Sequence, residues 1–175
     1  MSTSGFESTH RRYVTQGEMA IGTDGHTVFH TVLGSCVSVC LHDPIAGIGG
    51  MNHILLADDT SSGARAGQMA THAMELLING LIKTGAAKER LEAKVFGGAL
   101  LSSGLGAAGA RNFADVRRFL DVEGLPCLAQ DVGGFQARRL EFHPSSGRAR
   151  IRTVDAAPVE RVVAVSGAGA DLELL

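Results

Sequence analysis

Apolar and polar residues alternate with a period of two in several short segments of the chain, a pattern typical of half-buried β-strands. The clearest is SCVSVCLHD (35–43), in which Val37 and Val39 fall on one face and the cysteines fall on the other. The turn signal DPIA interrupts it, and GIGGMNHILL (47–56) then has the pattern of a returning strand. These segments predict a β-hairpin, and RRLEFHPSSGRARIR (138–152) predicts a second one around its PSSG turn.

Two other segments repeat their apolar residues at helical spacing. The first covers about residues 68–84 and is followed by a glycine, the residue that most often ends a helix. The second is predicted to begin at Asn112, as its N-cap, and to end at Gly124. The Ser/Gly/Ala-rich segments that precede them, 57–67 and 102–110, are interpreted as loops. Further strands are predicted within YVTQGEMAIG, HTVFHTVL, AKVFGGAL and LPCLAQDVGG.

Hairpins combined with two helices predict an α+β fold with layered, mixed β-sheets and helices packed on them. We expect one domain over residues 1–175, because the chain length suits a single core and no internal repeat is present. The polar segment 1–12 and the segment 156–175 are expected to be flexible ends.

The composition narrows the classes of function. Charged residues make up 19% of the chain and the net charge is -2, which gives no general attraction for nucleic acid or anionic membranes. No apolar run reaches the roughly 20 residues that span a bilayer, and the polar N-terminal segment lacks a signal-peptide core. Three cysteines do not form a disulfide framework. We therefore expect a cytoplasmic protein without membrane insertion or nucleic-acid binding.

The first hairpin brings a thiol and an imidazole together. If DPIA is the connecting loop, His42 lies opposite Gly47 and Cys36 lies opposite His53, with Cβ atoms about 5 Å apart. A histidine beside a cysteine lowers the thiol pKa or takes its proton, and the thiolate is the nucleophile. The preceding Gly34 and Ser35 permit a turn whose backbone N–H groups, with that of the cysteine, can stabilise an oxyanion.

The sequence also allows other interpretations of these cysteines. Cysteines on strands are usually small buried hydrophobic residues, and we assign Cys40 to that class. A Cys36–Cys40 disulfide is not expected, because residues four apart on an extended strand have Cα atoms about 13 Å apart. The spacing of Cys36, Cys40, His42 and His53 does not match a structural zinc site, so no metal is expected.

The segment LGSCVSVCLHDPIAGIGGMNHILL strongly resembles the CheD family of chemoreceptor glutamine deamidases. The resemblance continues, in order, through AMELLINGLIKTGA, KVFGGA, GARNFADVRRFL, EGLPCLAQDVGG and RRLEFHPSSGRARIR, and covers most of residues 14–154. It implies a cytoplasmic enzyme without cofactors that hydrolyses the side-chain amides of chemoreceptor glutamines to glutamate and ammonia. It also implies a fold similar to cytotoxic necrotizing factor-type deamidases and, in some lineages, binding to the phosphatase CheC.

The same resemblance implies site residues. The family's catalytic cysteine and histidine match Cys36 and His53, the pair that the hairpin joins. Its third residue is a threonine that stands six positions before the cysteine in some members, which here is His30. Thr31 stands five positions before it and keeps the hydroxyl, so we expect Thr31 to be the third residue.

These residues predict a covalent mechanism through a thioester on Cys36, with His53 as acid and base. Two rival functions share part of the evidence. Another cysteine hydrolase, such as a protease or a transglutaminase-like enzyme, would use the same pair on a different bond. A non-catalytic adaptor would bind chemoreceptors or CheC and would not need the thiol.

Overall fold

The computed structural model describes residues 8–54, 63–100 and 106–155, and these ranges contain nine strands, two α-helices and a 3₁₀ turn at Lys88–Arg90. The strands are β1 (His10–Tyr13), β2 (Met19–Gly22), β3 (Thr27–Leu33), β4 (Val37–Asp43), β5 (Ile48–Asn52), β6 (Glu92–Gly97), β7 (Cys127–Val132), β8 (Ala137–His143) and β9 (Arg148–Val154). The helices are α1 (Gly63–Thr84) and α2 (Gly106–Glu123). Neither helix is long and apolar enough to cross a bilayer, in the part of the chain described.

The strands form two mixed sheets. One has five strands in the order β2-β5-β4-β6-β7, and the other has four in the order β1-β3-β8-β9. The pairs β1–β3 and β6–β7 are parallel, and the other neighbours are antiparallel. The α+β class with mixed, hairpin-rich sheets is thus confirmed, and both predicted hairpins, β4–β5 and β8–β9, are present.

Two apolar clusters define the layers. The first lies between the five-stranded sheet and the two helices, and includes Val37, Val39, Leu41, Met74, Leu77, Leu81, Val116 and Leu120. The second lies between the two sheets, and includes Phe29, Leu33, Cys36, Cys40, Met51, Phe96, Leu140 and Phe142. Because β4 contributes to both clusters, its seven residues are all buried.

Both helices end where the sequence predicts and begin earlier. Gly85 and Gly124 follow them with φ of 117° and 68°, the left-handed conformation that glycine supplies. Residues 63–67 and 106–110, predicted to belong to loops, are helical, and Asn112 lies inside α2 and is not its N-cap. Alanine, the best helix former, extends both helices toward the glycines that we had interpreted as loop. The remaining residues of the two predicted loops lie outside the described ranges.

The predicted flexible ends are described only in part. Residues 10–12, assigned to the N-terminal end, form most of β1, which pairs in parallel with β3 from His10 opposite Thr27. Val14, just after this strand, continues the pairing with a backbone N–H that donates to the His30 carbonyl at 2.8 Å. Residues 1–7 and 156–175 lie outside the described ranges.

The register of the first hairpin differs from the predicted one by two residues. His42 lies opposite Gly49, not Gly47, and the last pair is Asp43 with Ile48. The connecting loop is residues 44–47, in which Gly47 has φ of 65° and donates its N–H to the Asp43 carbonyl at 2.9 Å. Because the shift is an even number, every side chain keeps its predicted face.

The carboxylate of Asp43 holds this turn against the segment after α1. It is fully buried and accepts the backbone N–H groups of Ile45, Ala46 and Ala87, at 3.0, 3.0 and 2.8 Å. Arg90 Nη2 completes the set at 2.8 Å. Hydrogen bonds from Arg90, followed by those from the backbone, lower the pKa of Asp43 far below its usual value, against the opposing effect of burial.

We expect Asp43→Ala to lower the free energy of unfolding by about 3 kcal/mol at pH 7, because three backbone N–H groups lose their acceptor at about 1 kcal/mol each. Urea denaturation measures this loss. The carboxylate's contribution is present above its unfolded-state pKa of about 3.9 and is lost as the pH falls below it. The exposed Asp121→Ala is the control, with an expected loss below about 0.5 kcal/mol. Equal losses in the two variants would contradict the role of Asp43.

Candidate active site

Cys36 lies immediately before β4, at the edge of the apolar cluster between the two sheets, and is 7% exposed. Its carbonyl accepts the Gly98 N–H at 2.8 Å, and the Gly34 carbonyl accepts the Ala99 N–H at 2.9 Å. The chain that follows β6 therefore holds the residues around the thiol by their backbone.

Gly97, the last residue of β6, permits this contact. Its φ is 109°, and a Cβ at this position would lie 2.1 Å from the Cys36 carbonyl oxygen. No other residue type fits such a distance in this conformation. The KVFGGA segment thus contributes the close backbone approach that fixes the thiol.

His53 follows the end of β5, where the hairpin ladder is replaced by side-chain contacts. The Val39 N–H donates to Asn52 Oδ1 at 2.9 Å, and Ser38 Oγ donates to the Asn52 carbonyl at 2.5 Å. The Ile54 N–H then returns to the Val37 carbonyl at 2.8 Å. These bonds hold the backbone on both sides of the imidazole.

The observed register changes the predicted relation between thiol and imidazole. Cys40 pairs with Met51 and Val37 with Ile54, so His53 lies across from Ser38 and diagonal to Cys36. The prediction that Cys36 lies directly opposite His53 was therefore wrong. Both residues still belong to the face directed toward the four-stranded sheet. Diagonal neighbours on a sheet face are separated by about 7–8 Å and lie within reach of an imidazole side chain.

Thr31 contacts His53 from the other sheet. Its Oγ1 lies 2.9 Å from Nδ1 of His53, and both groups are buried. On β3 it shares the inward face with Phe29 and Leu33, which belong to the cluster between the sheets. His30 has the opposite orientation, with its ring 5.6 Å from that of Tyr13 and 3.9 Å from the Glu141 carboxylate. Of the two candidates for the third residue, Thr31 is the one that meets the imidazole.

Burial sets the protonation of these groups. It lowers the pKa of His53, and the Val14 backbone carbonyl opposes this effect only in part, so the imidazole is neutral at pH 7. Burial also raises the pKa of the Cys40 thiol far above its usual value, against a weaker opposite effect of Lys94. Cys40 is therefore an inert thiol, and none of the three cysteines is in a disulfide.

A residue that no sequence pattern predicts also contacts the thiol. Gln16 Nε2 donates to Cys36 Sγ at 2.9 Å. The next residue, Gly17, donates its N–H to the His53 carbonyl at 2.9 Å, and the Glu18 carbonyl accepts the His53 N–H at the same distance. The loop between β1 and β2 thus contacts both members of the pair. No motif marks Gln16, because the contact joins residues twenty positions apart through a loop.

An apolar groove of about 220 Å³ is lined in part by His53. Its lining includes Met19, His53, Ile54, Met69, Ala73 and Leu76, from β2, the end of β5 and α1. A larger cavity of about 820 Å³ lies between α1 and α2 and includes none of the site residues. No cluster of three or more His, Cys, Asp or Glu residues that could hold a metal ion occurs within the described ranges.

Comparison with known proteins gives the family context. The family model described as CheD chemotactic sensory transduction matches residues 55–153. A protein of Caulobacter sp. (strain K31), named "Probable chemoreceptor glutamine deamidase CheD", is 51% identical over 93% of this chain and 91% of its own length. A protein of the same name from Sinorhizobium medicae (strain WSM419) is 52% identical over 80% of this chain and 78% of its own.

Solved structures are more distant. Neisseria meningitidis protein NMB0706 is 12% identical, with a TM-score of 0.44 over 72% of this chain and 63% of that chain. The YfiH protein of Bacillus licheniformis is 11% identical, with a TM-score of 0.41 over 75% of this chain and 61% of that chain. Similarity at this level carries no argument about the function of the site.

Proposed function

The chain belongs to the CheD family of chemotactic sensory transduction proteins, and we propose that Cys36, His53 and Thr31 perform the chemoreceptor glutamine deamidation for which its relatives are named. The enzyme is an amide hydrolase that converts glutamine side chains of chemoreceptors to glutamate and ammonia. The observation that carries the site assignment is the 2.9 Å contact of Thr31 Oγ1 with His53 Nδ1. It joins the two sheets at a histidine that shares a face with Cys36.

The first half of the reaction forms a thioester. His53 Nε2 accepts the proton of Cys36, and Sγ attacks the amide carbon of the glutamine side chain. The Nδ1–H of His53 donates to Thr31 Oγ1, which leaves Nε2 as the base. Backbone N–H groups of Ser35 and Cys36, with Gly34 allowing the turn, stabilise the oxyanion. Protonated His53 then delivers its proton to the departing ammonia.

The second half hydrolyses the thioester. His53 takes a proton from water, whose oxygen attacks the acyl carbon, and the Cys36 sulfur leaves as thiolate and is reprotonated. The products are glutamate and the free enzyme, so atoms and charge balance without a cofactor. Neutral His53 suits both halves, because only the neutral imidazole accepts a proton.

The apolar groove beside His53 is the proposed path of the substrate. Met19, Met69 and Leu76 are 36, 36 and 46% exposed along it. Exposed methionines and leucines beside a groove suit the apolar stripe of an amphipathic helix, with a glutamine of that helix directed at the thiol.

The test of this function uses the protein with a purified chemoreceptor cytoplasmic fragment. We expect release of ammonia and a mass gain of about one dalton at single glutamines, the difference between an amide and an acid. Peptide cleavage or isopeptide formation in place of this gain would assign the site to another class of cysteine hydrolase. Neither product, with receptor binding retained, would favour the adaptor.

Three wider features of the resemblance stay proposals. We propose that the protein acts in the cytoplasm, where thiols are kept reduced. We propose CheC as a modulating partner in organisms that have it. We also propose, from the family resemblance, a fold related to the cytotoxic necrotizing factor-type deamidases.

We expect Gln16→Met to lower kcat/KM by about 10- to 100-fold, because a hydrogen bond to a charged group contributes about 1.5–3 kcal/mol and the thiolate loses one. Methionine keeps the length of the side chain and removes its donor. The same loss should raise the apparent thiol pKa by about one to two units, measured by labelling against pH.

The matched control for this variant is Gln130→Met on β7, an edge strand of the five-stranded sheet. It removes the same amide from an exposed position that contacts no site residue. Unchanged kinetics and labelling in Gln16→Met would show that Gln16 only covers the thiol.

A further inference from the structure

The outer face of the four-stranded sheet carries a row of arginines. Strand pairing places Arg139 opposite Arg152, and both lie on the face away from the core. The pairing registers of β1, β3, β8 and β9 identify the other residues on this face. We call it the basic face, and its exposed arginines are Arg11, Arg139, Arg148, Arg150 and Arg152.

The charge of this face contrasts with that of the whole chain. The chain has 16 basic and 18 acidic residues, but Glu141 is the one carboxylate on the basic face within the described residues. It lies 4.0 Å from Arg150 and 3.9 Å from His30. The other four arginines form no ion pair in the part of the chain described.

The histidines of the face are affected by this charge. Burial is the largest cause of the lowered pKa of His30, and Arg11 and Arg139 lower it further against Glu141. Burial likewise lowers the pKa of His143 first, and Arg148 contributes in the same direction. Because arginine is always charged at pH 7, these side chains form a positive surface.

Two apolar side chains accompany the arginines. Tyr13 is 66% exposed and Val32 is 50% exposed, both on the basic face. Arginine and tyrosine are enriched at the centres of protein interfaces, whereas lysine is depleted, and this face has no lysine among its described residues. The planar guanidinium forms paired hydrogen bonds with carboxylates.

We propose that the basic face binds an acidic surface segment of the chemoreceptor substrate, away from the glutamine that reacts. This inference rests on the proposed function, because the partner is the protein on which that reaction acts. Charge complementarity favours that partner. The net charge of -2 gives the whole chain no general attraction for a nucleic acid, and binding to RNA is tested below as the competing outcome.

The position of the face predicts which kinetic constant it affects. Thr31 lies on the inward side of β3, and the basic face is on the outward side of the same strand. A segment bound there contacts none of the reacting atoms. Its contribution is uniform binding, which lowers KM and leaves kcat unchanged.

The experiment compares Arg139→Gln/Arg152→Gln with the control Arg65→Gln/Arg117→Gln, which removes the same charge from exposed positions on α1 and α2. The substrates are a purified chemoreceptor cytoplasmic fragment and a short glutamine peptide without acidic residues. We expect the first variant alone to raise KM for the fragment about 5- to 10-fold, from two exposed ion pairs of up to about 1 kcal/mol each. It should also weaken the salt dependence of KM.

Kinetics on the peptide separate the two proposals. Unchanged constants of the Arg139/Arg152 variant on the peptide are expected, and they also show that the variant is folded. Activity of the wild type on neither substrate would overturn the proposed function, whereas equal KM in variant and control on the fragment would overturn the basic face alone. The Arg139/Arg152 variant could instead lose binding to an RNA homopolymer or to phosphatidylglycerol vesicles while its KM for the fragment stays unchanged. That result would assign the basic face to nucleic-acid or membrane binding and would overturn the proposal.

A second variant tests the face away from the β8–β9 hairpin. Arg11 lies on the edge strand β1, where a glutamine is easily accommodated. We expect Arg11→Gln to raise KM for the fragment about two- to threefold and to leave the peptide constants unchanged.

Discussion

Replacement of Cys36 by alanine is expected to lower ammonia release from chemoreceptors by at least about 10⁴-fold, because loss of the nucleophile leaves only binding and oxyanion contacts. The change removes one sulfur from a nearly buried position. Receptor binding should persist, since the apolar groove beside His53 does not include this side chain. The measurements are ammonia release and the mass of the receptor fragment.

Cys40→Ala, on β4 four residues after Cys36, is the matched control. Cys40 is buried at 1% exposure, and burial raises its thiol pKa, so it takes no part in the reaction. We expect kcat within about twofold of the wild type and a loss of about 1 kcal/mol in stability, from one deleted side-chain group. Equal ammonia release by Cys36→Ala and the wild type would reject the covalent mechanism, whereas an intact cellular phenotype of Cys36→Ala would favour the adaptor.

The face of each site residue could be predicted, but the register could not. Period-two alternation assigns Cys36 and His53 to one side of the hairpin for any loop with an even number of residues. The two-residue shift depends on the Asp43 carboxylate, which binds the N–H groups inside the turn and Ala87 beyond α1. Such a long-range contact leaves no local pattern in the sequence.

The choice of the third residue also needed the packing of two sheets. In the sequence, His30 and Thr31 differ by one position, and either could face the histidine. The inward position of Phe29 and Leu33 in the cluster between the sheets decides it, because Thr31 alternates in phase with them. The contact of Gln16 with the thiol was not predictable for the same reason. It depends on the path of the β1–β2 loop, which connects the four-stranded sheet to the five-stranded sheet.

The thiol of Cys36 is expected to react with an alkylating reagent with an apparent pKa below the free value of about 8.5, and His53→Gln should raise that pKa to 8.5 or above. Burial of Cys36 at 7% exposure disfavours the thiolate once the imidazole no longer accepts its proton. The same variant should lower kcat/KM by about 10²- to 10⁴-fold, the usual contribution of a general base. Labelling rates between pH 5 and 10 measure the first effect.

Two further variants make this test specific for the pair. His10→Gln, on the exposed edge strand β1, removes an imidazole without touching the site and should leave the labelling curve unchanged. Thr31→Val keeps the volume of the side chain and removes the hydroxyl that contacts Nδ1 of His53. Its effect on kcat/KM should be at most about 10-fold, the contribution of one neutral hydrogen bond.

In the wild type, kcat/KM should fall as the pH drops below about 6.5, because burial lowers the pKa of His53 and only the neutral imidazole accepts a proton. Equal labelling of the wild type and His53→Gln at every pH would return Cys36 to the apolar cluster between the sheets, as a thiol with no catalytic partner.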